Sequence, residues 1–197
     1  PFIAGRGPAL GGSPRHLLRL DEEHFIFSVN ERVLRCGLEW KLTPVASFGS
    51  SVMAIIPDEH RMIVVCEDGT IAAIDRVTLA ATTLQRRPDK IAAAAALPWL
   101  GGQRLLLATA DGAIDCIGAD DDLVSQFTSP HRGLRQVTAS SAHVAALSAD
   151  RARLIVWNAW DGKMPARELS IAGLTPHRAA DLLLATDGTD TQKEASS

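Results

Sequence analysis

Cysteine is scarce in this 197-residue chain, where Cys36, Cys66 and Cys116 are the only three. Their odd number, at spacings of 30 and 50 residues with no Cys-x-x-Cys pair, excludes a disulfide scaffold. It also leaves zinc-finger and thioredoxin-type chemistry without a foothold. Each cysteine sits in an apolar run, where a free thiol behaves as a small buried hydrophobe. Free thiols point to a reducing compartment, the cytoplasm first and the nucleus as the alternative. Long hydrophobic runs are missing as well. The longest candidate, 91–97, is mostly alanine and stops at Pro98, far short of the ~20 residues of a membrane-spanning helix, so no membrane insertion is expected. Residues 1–15 lack the apolar centre of a secretory signal and begin with Pro1, which reads as a processed start or a piece of something longer. No sign of charge dominates: 20 Lys and Arg face 23 Asp and Glu, a formal net charge of −3. That balance argues against a whole-domain grip on nucleic acid or an anionic membrane.

Sites of reactive chemistry are equally hard to find. None of the six histidines pairs with another at metal-ligand spacing. Asp120-Asp121-Asp122 lacks the sixth-position glycine and the distal glutamate of a calcium loop, and reads as a solvated turn. No Gly-x-Ser-x-Gly elbow exists. Gly5, Gly7 and Gly11 imitate a phosphate loop only superficially, because no strand precedes them and Pro8 interrupts them. No catalytic residue, metal or cofactor is therefore expected.

What is present is a repeat. The composition is 46% hydrophobic, too apolar for a disordered chain, and 197 residues suffice for a real core. Beyond a Gly- and Pro-rich arm at 1–15, short Val-, Ile-, Leu- and Ala-rich runs alternate with turn residues. Four of them end at Asn30, Asp68, Asp111 and Asp150, spaced 38, 43 and 39 residues apart, and a second apolar run follows each. Asp68-Gly69 and Asp111-Gly112 are strong hairpin signals, since a tight turn between strands needs positive φ. Another short strand precedes each hairpin and another follows it, as in 51–56 and 79–84 around the second. An all-β array of four-stranded units is the direct inference. A fifth echo ends at Asp187-Gly188 and dissolves into a polar tail at 187–197.

This pattern resembles the WD40-type β-propeller repeat, over about residues 16–186. The fourth unit carries it best. His131 stands in the place of the family's Gly-His, Ser148 in the second strand, Asp150 in the turn, and Trp157-Asn158 in the Trp-Asp place. The resemblance implies structural roles inside blades for His131, Ser148, Asp150 and Trp157, with Asp68 and Asp111 as turn residues. Units one to three lack the tryptophan, so the likeness is to a degenerate propeller.

About four blades plus a fragment fall short of the usual ring, so other protein subunits or further blades are expected to complete it. The expected function is a non-catalytic scaffold within a larger multiprotein complex, with a ligand-binding or catalytic central funnel as the alternative. Trp99 and Trp160, expected in loops, and Arg132 beside a turn are the candidate partner anchors.

Overall fold

A computed structural model describes residues 10–100, 102–118, 122–160, 165 and 167–172. Sixteen strands make up its regular structure. They form four sheets of four strands, each a simple antiparallel meander. Blade 1 holds β1 (Arg15–Arg19), β2 (His24–Val29), β3 (Arg32–Gly37) and β4 (Leu42–Ser47). Blade 2 holds β5 (Val52–Pro57), β6 (Arg61–Cys66), β7 (Thr70–Asp75) and β8 (Ala81–Arg86). Blade 3 holds β9 (Ile91–Trp99), β10 (Gly102–Thr109), β11 (Ala113–Ile117) and β12 (Leu123–Thr128). Blade 4 holds β13 (Leu134–Ala139), β14 (His143–Ser148), β15 (Arg153–Asn158) and β16 (Arg167–Ser170). The expected four-stranded units are all there. The fifth echo, His177, the tail at 187–197, Asp120 and Asp121 lie outside the described residues, as does most of the arm at 1–15.

The turn chemistry explains the repeat. Every β2–β3-type turn contains a residue with positive φ: Gly69 at 82° and Gly112 at 102°, and, without glycine, Asn30 at 54° and Arg151 at 59°. A side chain at Gly69 would lie 2.3 Å from the Arg87 carbonyl oxygen, and one at Gly112 would lie 2.4 Å from that of His131. Glycine here serves close approach as well as φ. Proline is confined where it costs no ladder bond: Pro44, Pro57 and Pro98 all sit on edge strands.

The central strands are apolar on both faces, which lets each sheet bury both. One core joins blades 1 and 2 through Ile26, Val33, Val52 and Val64. A second joins blades 2 and 3 through Ile56, Val65, Ile91 and Leu107. A third joins blades 3 and 4 through Leu97, Phe127, Val144 and Trp157. The first strands of successive blades lie side by side: β1 with β5, β5 with β9, β9 with β13. Among the described residues no comparable packing joins β13 to β1, so the four blades form an open arc.

Candidate functional site

Because each blade is a meander, its first and third turns share one end of the arc, while its second turn and the links between blades share the other. The second-turn end carries most of the residues that the repeat pattern singled out. The Ser50 hydroxyl donates to Asp68 Oδ1 at 2.8 Å, and Arg86 reaches Oδ2 at 3.1 Å. Burial pushes the Asp68 carboxyl up, but Ser50, Thr70 and Arg86 together hold it below the usual range. The Thr109 hydroxyl donates to Asp111, and the Ser148 hydroxyl donates to Asp150 at 2.5 Å. These two hydroxyls, followed by the Ala113 and Ala152 amides, hold Asp111 and Asp150 below the ordinary carboxylate value. Such carboxylates close turns. They are poor general bases, because a useful base has a pKa near the working pH.

His131 Nε2 lies 2.9 Å from Glu168 Oε1, on the outer strand of the same blade, and Arg153 also pairs with Glu168. Trp157 is fully buried, with its indole N–H donating at 3.4 Å to the Thr128 carbonyl of the preceding blade. Its ring meets Phe127 edge-on, the centroids 6.3 Å apart. His131, Ser148, Asp150 and Trp157 thus make three separate contacts: His131 to Glu168, Ser148 to Asp150, and Trp157 across the blade boundary. Beside them, Arg87 from the β8–β9 link donates to Asp115 Oδ2 at 2.9 Å, with only 7% of the Asp115 side chain exposed. From sequence Arg87 reads as one of several turn arginines on a solvated rim, whereas its side chain is only 19% exposed; Asp115 and Glu168 carry no signal there, and all three become meaningful only once the sheets are stacked.

At the opposite end the structure brings two partner-binding candidates together and leaves the third apart. Trp99 and Trp160 come from different blades, yet their rings lie 4.2 Å apart between centroids, tilted by 35°. Arg132 is exposed in the β12–β13 link, at the far end of the arc. The expectation of Trp99 in a loop needs correction: β9 continues through Pro98 to Trp99, which pairs with Gly102. Pro98 is tolerated because β9 is an edge strand. The extension matters, because Leu97 pairs with Arg104. Side chains alternate across a strand, so Arg104 shares a face with Trp99. Its guanidinium carbon sits 3.6 Å from the Trp99 ring centre. Two groups this close to one ring centre leave no room for both on one face, so Trp99 is clasped between Arg104 and Trp160. Arg104 was missed by sequence reasoning, although its place two residues past Gly102 was a usable signal.

The outer sides of the end blades carry apolar clusters whose central members are themselves buried. On blade 1, Phe27, Val29, Leu34 and Cys36 cluster with Leu10 and Leu42, away from blade 2. A groove of about 540 Å³ runs over this face, lined also by Phe25 and Trp40. On blade 4, Ala145, Leu154 and Ile171 cluster with Leu147, Val156 and Leu169, away from blade 3. Among the described residues no group of three or more His, Cys, Asp or Glu side chains is placed to hold a metal ion. No helix among them is long and apolar enough to cross a membrane.

No protein-family model matches the chain, and no curated protein matches it. Solved structures do. A chain from the crystal structure of the mitotic checkpoint complex superposes with a TM-score of 0.64 at 12% sequence identity, covering 82% of this chain and 52% of that one. The fold is that of a β-propeller. The chain spans about half the length of that neighbour. At 12% identity the likeness shows the fold alone, and 1214 chains of solved structures match. A fold so widely shared does not select an activity.

Proposed function

We propose that the chain is a non-catalytic interaction module, a WD40-like portion of a propeller belonging to a subunit of a larger multiprotein assembly. The carrying observation is the apolar groove on the outer side of blade 1, with Leu17 and Trp40 exposed along it. A blade that terminates a stack needs a polar outer face to stay soluble. Blade 1 instead presents exposed Leu17 and Trp40 beside the groove, above Phe27 and Leu34, which this chain already buries, and the outer cluster of blade 4 at Ala145, Leu154 and Ile171 is buried as well. Further blades, from the same subunit or a partner, are the surfaces that match. The superposition on about half of a longer propeller chain supports this reading. Three free, buried cysteines favour a cytoplasmic or nuclear setting.

A catalytic or ligand-binding funnel would need carboxylates or imidazoles converging from several blade links. Asp68, Asp111, Asp115 and Asp150 are each engaged in turn closure or in blade-to-blade pairing. The test is native mass spectrometry of the gently purified protein. We expect a stable particle heavier than the 21.0 kDa of this chain, in which both outer faces are protected from hydrogen exchange. A monodisperse 21.0 kDa particle would overturn the reading.

A further inference from the structure

We infer that the rim between blades 3 and 4, formed by Trp99, Leu100, Arg104 and Trp160, docks a short protein segment carrying a large apolar side chain flanked by carboxylates. The inference rests on the interaction reading above and supplies the chemistry of one partner.

The geometry differs from that of a simple blade fastener. Trp99 is half-buried and would serve to close the blade boundary by itself. Trp160 remains 58% exposed against the Trp99 ring, and Leu100, next to Trp99 in the chain, is 83% exposed. Trp and Arg are the residues most enriched at the energetic centres of protein interfaces, because they bury a large area at low entropic cost and keep a polar handle. The Arg104 guanidinium sits over the Trp99 ring in a cation–π contact. Stacking uses the face of the guanidinium; its edge also meets the Cys116 thiol and keeps further donors, since the group has five. Among the described residues no carboxylate pairs with Arg104. A cation held over Trp99 beside exposed indole and leucine is complementary to an acidic segment with an apolar anchor.

Nucleic acid and anionic lipid also carry negative charge, but the same end of the arc disfavours both. The first turns of blades 1 and 2 expose Asp21, Glu22, Glu23 and Glu59 there. A long polyanion or a bilayer would have to cross these acids, whereas a short segment on Trp99, Arg104 and Trp160 has Asp122, in the third turn of blade 3, as the one exposed acid among the described residues of blades 3 and 4 at this end.

The experiment probes the full chain with an array of short synthetic peptides. Each has a central Leu-Phe or Leu-Trp pair, in flanks graded from all-Asp/Glu to all-Lys/Arg. Acidic-flank peptides should bind at least tenfold tighter than basic ones, equivalent to about 1.4 kcal/mol. Trp160→Ala should remove at least tenfold of that binding, and Arg104→Glu should invert the charge preference, both without a large change in melting temperature. No acidic preference, or binding untouched by Trp160→Ala, overturns the inference. Inversion by Arg104→Glu is the decisive support, since a fold defect cannot produce a new preference. If native mass spectrometry finds the assembly while the array finds no preference, the interaction reading stands and this docking site falls.

Discussion

Removing Arg87 tests how the inner blades are locked. Its guanidinium crosses from the β8–β9 link to Asp115 Oδ2 at 2.9 Å, and Gln126 Nε2 donates to Oδ1 at 2.8 Å. Only 19% of the Arg87 side chain and 7% of the Asp115 side chain are exposed. Arg87→Met keeps most of the apolar stem but strands a buried carboxylate on one neutral donor. Removing one partner of a buried ion pair costs about 3–5 kcal/mol, mostly as the uncompensated charge left behind. The lower end applies here for two reasons. Gln126 still serves Asp115, and Arg87 Nε is buried without a hydrogen-bond partner, so the wild-type pair is itself imperfect. At ~2–4 °C per kcal/mol for a chain of this size, a loss of about 3 kcal/mol lowers the melting midpoint by roughly 6–12 °C. The assay is urea and thermal unfolding followed by tryptophan fluorescence, with Asp115→Leu and the double variant completing a cycle. A buried pair replaced on both sides by apolar groups is often neutral. The double variant should therefore recover most of the loss, with a coupling energy above ~1 kcal/mol. Strict additivity, or an Arg87→Met midpoint within ~1 °C of the parent, would refute the latch.

Three further outcomes are expected. Gly69→Ala and Gly112→Ala each place a Cβ within 2.4 Å of a carbonyl oxygen at positive φ, so each should cost more than ~1 kcal/mol in urea titration. Burial, with the Asp68 charge nearby, pushes the Cys66 thiol up to about 12. Cys66 should therefore resist alkylation near neutral pH in the folded chain and react once denaturant is added, as peptide mass mapping would show. His131 and then Arg153 hold the Glu168 carboxyl below its ordinary 4.5, and Asp111 and Asp150 lie below their ordinary 3.8. A depressed folded pKa adds stability above the unfolded value and loses it as pH falls through the folded one. The unfolding midpoint should thus decline below pH 4.5, and Glu168→Gln should flatten the upper part of that decline.

The strand pattern was legible because it is local. Asp-Gly turns and two-sided apolar runs are set within a few residues, and all four hairpins at Asn30, Asp68, Asp111 and Asp150 form where the spacing placed them. The site was only half legible. Trp99 and Trp160 stand out in the sequence as tryptophans, but 61 residues separate them, and only the stacking of blade 4 on blade 3 brings them into contact. Arg104 was hidden by a reading of Pro98 as a strand breaker, which holds for central strands and fails for an edge. The pairing of Arg87 with Asp115 was invisible because a charge partner across a blade boundary leaves no periodic trace.

One feature of the sequence said more than turn counting did. The β2 run His24–Val29 and the β14 run His143–Ser148 are apolar at successive positions, with the same two-sided pattern as β6 and β10 of the inner blades. A strand with one face in water alternates between apolar and polar residues; a strand covered on both faces does not. The inner blades obey that rule with a neighbour on each side. The same rule applied to blades 1 and 4 asks for cover on their outer sides; Phe27, Leu34, Leu154 and Ile171 are each less than a tenth exposed, so this chain supplies much of that cover, while Leu17 and Trp40 stay exposed beside the blade 1 groove. A polar substitution at Leu17, which is exposed beside the groove, therefore separates the two possibilities. It would be harmless or solubilising on a truly free face, and it would detach whatever covers blade 1 if the ring is completed.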